Sequence, residues 1–324
     1  MEKKLNDLID KALSRRSFLA GAGSVAAGTL IAGCSSSSSA PTTTTPTNPT
    51  YVDADYVQFA LNLEYLEAEY YLYAATGSGL SSTDAGTGAG TTKVPTTTQV
   101  QFTAGGALQQ YANEIAQDEL NHVRFLRSTL TSLGVTPVSR PALDLTFFAG
   151  LATAAGISGT FNPFSDQVSF LVGAFVFEDV GVTAYHGAAG ALSTTATGKT
   201  ILGAAASIMA VEAYHAAEIR TIIAGSAAAG TVVTTPLSYA SALTAVNAVS
   251  ALRGKISAAS GNMIAAETTV STGSIVAADS NAIAYARQPD QVLHIVYGGT
   301  AGVGVKSGGF FPNGLNGNIS ATLS

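Results

Sequence analysis

The chain has 324 residues, 47% of them hydrophobic, with 34 Gly and one Cys. That composition excludes a disordered acidic tail and a disulfide scaffold, and the length allows one large core or two modest ones. Charged residues make up 11%, about half the usual ~25%, so a charge inside a helix carries information. The formal net charge is −6, and residues 34–324 alone hold 10 basic against 18 acidic side chains. That balance argues against a nucleic-acid partner, whose phosphates call for Lys and Arg.

Residues 1–33 read as an address rather than as fold. Lys3, Lys4 and Lys11 make a basic start, Ser14-Arg15-Arg16-Ser17-Phe18-Leu19 follows, and an uncharged Gly/Ala-rich stretch runs from Ala20 to Gly33. The pattern closely resembles a bacterial twin-arginine export signal. Its apolar stretch is too short and too Gly-rich for a membrane span, which needs ~20 strongly apolar residues. Leu30-Ile31-Ala32-Gly33-Cys34 resembles a lipoprotein cleavage box, with the sole cysteine at the lipid-attachment position. Residues 34–52, Ser-rich and then Thr/Pro-rich, supply a flexible tether. The resemblance implies export and a lipid anchor on Cys34, with the domain facing the periplasm or the cell exterior. The alternative is a buried or free thiol behind a disordered N-terminus.

From Asp53 the pattern becomes helical. Phe59, Leu63, Leu66 and Tyr70 recur at three- and four-residue spacing, which predicts a first helix over 53–75. Thr76 to Thr98, rich in Gly, Ser and Thr, reads as a mobile loop. A second helix is expected from Phe102 to Leu133, stopped by Gly134 and Pro137. A connection of about thirty residues, with a short helix near 142–155, leads to a third helix over Ser165–Leu192 and a fourth over Lys199–Ala227. Two helices, a long crossover and two more helices is the connectivity of a ferritin-like bundle. Further helices are expected at 236–258 and 288–297, before a Gly-rich tail whose Phe310, Phe311 and Leu315 pack back onto the bundle. Gly299 to Ser307 lacks the Gly-Lys-Ser/Thr step of a phosphate loop.

Four histidines occur, and two follow a Glu by three residues, in Glu119-Leu120-Asn121-His122 and Glu212-Ala213-Tyr214-His215. With ten Glu in the chain, one His has that neighbour by chance about 3% of the time. Three residues turn ~300° around a helix, so each Glu and His share a face one turn apart. The other two helices carry Glu64 with Tyr71, and Glu178 with Tyr185, seven residues apart and within ~20° of one another. Both halves therefore follow one template, Glu with Tyr and then Glu-x-x-His.

A Glu from each of two helices and a Glu-x-x-His from the other two is the constellation of ferritin-like carboxylate proteins. Through these steps and Leu61-Asn62-Leu63-Glu64-Tyr65-Leu66-Glu67-Ala68-Glu69-Tyr70-Tyr71, the chain resembles the ferritin-like superfamily, in the branch similar to plant desiccation-related proteins. The resemblance implies an all-α fold: a ferritin-like four-helix bundle over 53–227 with a long crossover between its second and third helices, plus a C-terminal helical and Gly-rich extension over 228–324. It also implies a two-metal site held by Glu64, Glu119, His122, Glu178, Glu212 and His215. Four buried carboxylates without counterions would cost several kcal/mol each, and two divalent cations would neutralise them. An oxygen-rich site with one imidazole per metal suits iron, with manganese or zinc as alternatives. Tyr71 and Tyr185 are then donors that orient carboxylates, or else aromatic core filling. Glu67, one turn after Glu64, reads as a supplementary ligand or gate, and Glu69 as solvent-facing.

Asp118, Glu114, Asp179 and Glu218 read as surface or interhelix charges, and His186, ~80° from Glu178, as an interface histidine. His294 receives no role. A lone Glu-x-x-His is ordinarily a solvated pair, and the set of six on four helices is what reverses that reading. The expected chemistry is oxidation of Fe(II) or activation of O2 or peroxide, with metal ions and O2 or peroxide as partners and a homo-oligomer left open. The alternative is a non-catalytic stress- or desiccation-related structural lipoprotein with a structural or vestigial metal site.

Overall fold

The computed structural model describes residues 50–157, 159–233, 235–258, 269–299 and 302–323. The leader, Cys34 and most of the tether lie outside the described residues. Eight α-helices occur among those described, and four long ones build a bundle. Helices α1 (Asp53–Thr76) and α3 (Ala107–Ser132) form one antiparallel pair. Helices α5 (Gln167–Ala189) and α6 (Ala196–Ala228) form the other, and the crossover between the pairs carries a 3-10 turn (Leu145–Phe147) and the short α4 (Phe148–Ala154).

Local chemistry sets the ends of these helices. The Asp166 carboxylate accepts from the backbone N–H groups of Val168 and Ser169 at 2.9 Å, satisfying two otherwise orphaned donors at the start of α5. Thr195 does the same for Gly198 at 3.1 Å, so α6 begins three residues before the expected Lys199. Helix α3 starts five residues later than expected. Gly105 turns the chain at a φ of +70°, the Gly106 N–H closes on the Thr103 carbonyl at 2.9 Å, and Phe102 leaves the helix to pack edge-on against Phe170. The predicted stop at Gly134 takes a left-handed φ of +73°, and the Val135 N–H reaches back to the Leu130 carbonyl at 2.9 Å.

The segment between α1 and α3 is tied down, where its composition suggested a slack loop. It carries α2 (Ser82–Ala85) and β1 (Thr92–Lys93), which pairs in parallel with β2 (Leu143–Asp144) of the crossover. A Cβ at Gly90 would lie 2.3 Å from the Ala142 nitrogen, so this glycine serves close backbone approach rather than mobility.

Helix α5 is the central rod, buried without a break from Val168 to Tyr185. Its mean hydropathy of 1.5 and its length would suit a membrane span, but 94% of the window is buried inside the protein. The extension covers its outer side with α7 (Tyr239–Ala258) and α8 (Pro289–Val296). Asp179, fully enclosed, receives Arg220 of α6 at 2.9 and 2.7 Å and Arg253 of α7 at 2.7 Å. Both guanidinium groups also lie over the Phe175 ring. Arg287 donates to the Thr183 hydroxyl at 2.8 Å and to Ser257 at 3.0 Å. Phe310 and Phe311 are buried as expected, and Phe310 packs among Phe147, Phe148 and Phe177.

Candidate metal centre

Because α1 runs antiparallel to both α3 and α5, the inward faces read from the sequence meet at one level of the bundle. Glu64 on α1, Glu119 and His122 on α3, Glu178 on α5, and Glu212 and His215 on α6 are all buried there. The His122 Nδ1 lies 3.2 Å from Glu64, 3.3 Å from Glu119 and 3.4 Å from Glu212. The His215 Nδ1 lies 3.3 Å from both Glu119 and Glu178. Glu119 thus stands between the two imidazoles, one oxygen toward each. Glu67 brings a fifth carboxylate, with an oxygen within 4.8 Å of ligand atoms of Glu119, Glu178 and Glu212.

The tyrosines act across the bundle, not along their own helices. Tyr71 donates to Oε1 of Glu178, and Tyr185 to Oε1 of Glu64. Each Glu therefore has one oxygen held from outside and turns the other, Oε2, inward. Those inward atoms, with Oε1 of Glu119, Oε2 of Glu67, both oxygens of Glu212 and Nδ1 of His215, are buried without a hydrogen-bond partner among the described residues.

The electrostatics follow from that crowding. Burial drives Glu67 and Glu212 well above the usual carboxylate range, and the neighbouring carboxylates add to it. Burial also lifts Glu119, to about 7, with the two imidazoles pulling it back. Burial acts the same way on Glu64, but the charge of the nearby His122 outweighs it, with Tyr185 helping, and holds this acid low. Against burial, Glu178 and Glu119 push His215 up to about 12, and Glu64 with its neighbours drives His122 higher still. Protons thus bridge groups that cannot all be charged together in a dry pocket.

A metal fits this donor set. Ligand atoms ~2.0–2.2 Å from a common ion stand about 2.8–3.6 Å from one another, and the imidazole-to-carboxylate distances of 3.2–3.4 Å fall in that range. Each buried polar atom left unpaired costs about 1–3 kcal/mol, which a shared cation removes for all of them at once.

Other residues sit differently from their sequence reading. Glu69 is fully buried, not solvent-facing: Arg140 pairs with it and the Leu80 N–H donates to it at 3.3 Å. The angular argument fails because α1 is enclosed on every side from Leu61 to Tyr71, leaving it no solvent face there. Asp118 lies 3.3 Å from Nε2 of His215, so this interhelix charge orients the imidazole that faces the centre. No spacing signals that contact, since 97 residues separate the pair. Gly181 was also missed: a Cβ there would lie 2.4 Å from Oε2 of Glu212. A glycine inside an apolar helix, at ~1 kcal/mol against Ala, was the available sign of such close approach. His186 takes its interface role, with Nδ1 3.2 Å from the Tyr285 carbonyl, and His294 is buried within the extension, on α8.

A family model described as a ferritin-like domain matches residues 52–225. The chain belongs to the ferritin-like family. This ferritin-like protein is 29% identical over 281 residues to a ferritin-like catalase of Nesocodon mauritianus, covering 83% of the chain and 85% of that relative. It is 28% identical over 255 residues to a desiccation-related protein of Craterostigma plantagineum, covering 74% and 76%. Both alignments are longer than the family match, so the likeness reaches beyond the ferritin-like bundle itself.

Proposed function

We propose that Glu64, Glu119, His122, Glu178, Glu212 and His215 hold two divalent metal ions, iron before manganese or zinc, and that the protein is an oxidoreductase acting on peroxide or O2. The observation that carries this reading is the inward-turned, unpartnered oxygens around two Nδ1 atoms. When bound, a redox-active metal pair supplies Lewis acidity and electron exchange with an O–O bond. Glu64 and His122 would hold one ion and Glu178 and His215 the other, with Glu119 and Glu212 shared. Tyr71 and Tyr185 fix the outer oxygens, and with a metal bound Asp118 would hold the Nε2 proton of His215, leaving the Nδ1 lone pair to the ion. Tyr70, Phe148, Phe164 and Phe170 pack into an aromatic plug that excludes water beyond Tyr71.

Peroxide is favoured because one relative is named a catalase. A structural, stress-protective role is the second reading, because the other is named desiccation-related. Oxygen release from hydrogen peroxide by metal-loaded protein, lost in His122→Ala, supports the enzyme. Absence of turnover by loaded protein, with a melting temperature that still falls on chelation, supports the scaffold. The leader motifs favour export and an acyl anchor on Cys34, which labelled-lipid incorporation lost in Cys34→Ala tests.

A further inference from the structure

A polar cleft of about 820 Å³ lies between the α1–α3 connection and α3. The loop around α2, Arg127 of α3 and Arg140 line it, and among the described residues no Asp or Glu does. On a chain of net charge −6, a concave surface with two arginines and no acid reverses the local sign. Arg140 is already committed. It pairs with Glu69 and donates to the Gly90 carbonyl, and its backbone brackets the loop, N–H to the Ala85 carbonyl and carbonyl to the Gly90 N–H, both at 2.8 Å. Asp84 is likewise taken up by Arg124 and Ser81. Arg127 differs: its Nη1 donates to the Tyr65 hydroxyl and to the Val138 carbonyl, while its Nε and Nη2 make no hydrogen bond and no carboxylate pairs with it among the described residues.

The loop beside it supplies further donors. Thr87 and Gly88 form a tight turn closed by the Ala89 N–H on the Gly86 carbonyl at 3.3 Å, with Gly88 at a φ of +75°. The N–H groups of Thr87 and Gly88 have no acceptor among the described residues. A Cβ at Gly86, itself at a φ of +87°, would lie 2.9 Å from Nη1 of Arg127. Glycine therefore lets this backbone run against the guanidinium, which brings two kinds of anion-binding donor together.

We propose that the cleft binds a phosphate group, with Arg127 as its charged donor and the Thr87 and Gly88 N–H groups beside it. A phosphate presents three acceptor oxygens, enough for a guanidinium and two N–H groups at once, where a carboxylate presents two. None of the six inward residues lines the cleft, so the proposal is independent of the metal-centre reading.

The test is calorimetric titration of the full chain with inorganic phosphate at pH 8, where the ion is largely dianionic, on chelator-treated protein so that no metal takes up the phosphate. Acetate is expected to bind about tenfold more weakly, and added salt to weaken phosphate binding. Arg127→Gln should cost about tenfold or more in affinity. Thr87→Glu, at an exposed loop position, leaves Arg127 on Tyr65 and should cost as much by placing an acid in the cleft. Lys199→Gln, exposed at the start of α6, makes the same charge change as Arg127→Gln outside the cleft and should stay within about twofold of wild type. Glycerol phosphate binding more tightly than inorganic phosphate supports the site and assigns a phosphate monoester; weaker or equal binding supports it and assigns the free ion. Wild type that takes up no phosphate at millimolar concentration, acetate binding as tightly as phosphate, affinity undiminished in both Arg127→Gln and Thr87→Glu, or an equal loss in Lys199→Gln overturns the proposal.

Discussion

Glu64 and Glu178 show how one side chain serves two purposes. A tyrosine from the opposite pair of helices holds the outer oxygen, which fixes the carboxylate plane and points the other oxygen at the centre. Tyr185→Phe removes that hold while keeping the ring, so metal affinity should fall about 10–100-fold with the fold retained, as read by competition with a chelating dye. Asp84 illustrates a charge whose effect is local. Its double hydrogen bond from Arg124, at 2.8 and 3.1 Å, holds the carboxyl below its ordinary value, helped by Ser81 against the opposing effect of burial. Folded protein therefore binds this proton less readily than the unfolded chain. The pair's stabilisation is complete above a pH of about 4 and disappears as the pH falls through the lowered value. Asp84→Asn should cost about 0.5 kcal/mol at neutral pH and progressively less as the pH falls through the lowered value, by urea unfolding across that range. The six inward residues were legible because a helix converts three- and seven-residue steps into one direction. The Tyr hydrogen bonds across the bundle, Asp118 on His215 and the burial of Glu69 were not, because each depends on which helix lies opposite.

Helix α5 carries the tension between apolarity and charge. Its run of Val, Phe, Leu and Ala is buried on all sides, and into it are set two adjacent acids with different fates. Glu178 faces the centre, while Asp179 faces away and is clamped by Arg220 and Arg253. The second arginine comes from the extension and also donates to the Phe175 carbonyl at 2.8 Å, so α7 grips the helix one turn before Glu178. Arg253→Ala should cost about 3 kcal/mol, seen as a lower urea midpoint at unchanged slope. Burial pushes Asp179 up, but the two guanidinium groups outweigh it and keep the acid ionised. Helix order and most ends were readable from apolar spacing, with Gly134 and Pro137 marking one stop. The clamp was not, because Asp179 and Arg253 stand 74 residues apart and nothing in either local pattern names the other.

Across the whole molecule, two helix pairs on one template meet at a shared level. An aromatic plug closes one side of that level. The connectivity and the crossover were legible from the spacing of helical segments. The extension's purpose was not, since its aromatic packing and buried arginines only make sense once α5 is placed beneath them. Under the proposed assignment, cations shared by four carboxylates should also hold the two pairs together. Chelation is then expected to lower the melting temperature by several degrees, in line with about 2.7 kcal/mol lost when free metal had stood 100-fold above its Kd.

Anomalous X-ray diffraction from crystals of the purified domain loaded with Fe(II) or Mn(II) tests the centre most directly. The expected result is two peaks on either side of Glu119, one beside Nδ1 of His122 and the other beside Nδ1 of His215. Fewer than one metal per chain after loading, or a peak only at a surface site, would contradict the assignment of these six side chains to a common metal centre.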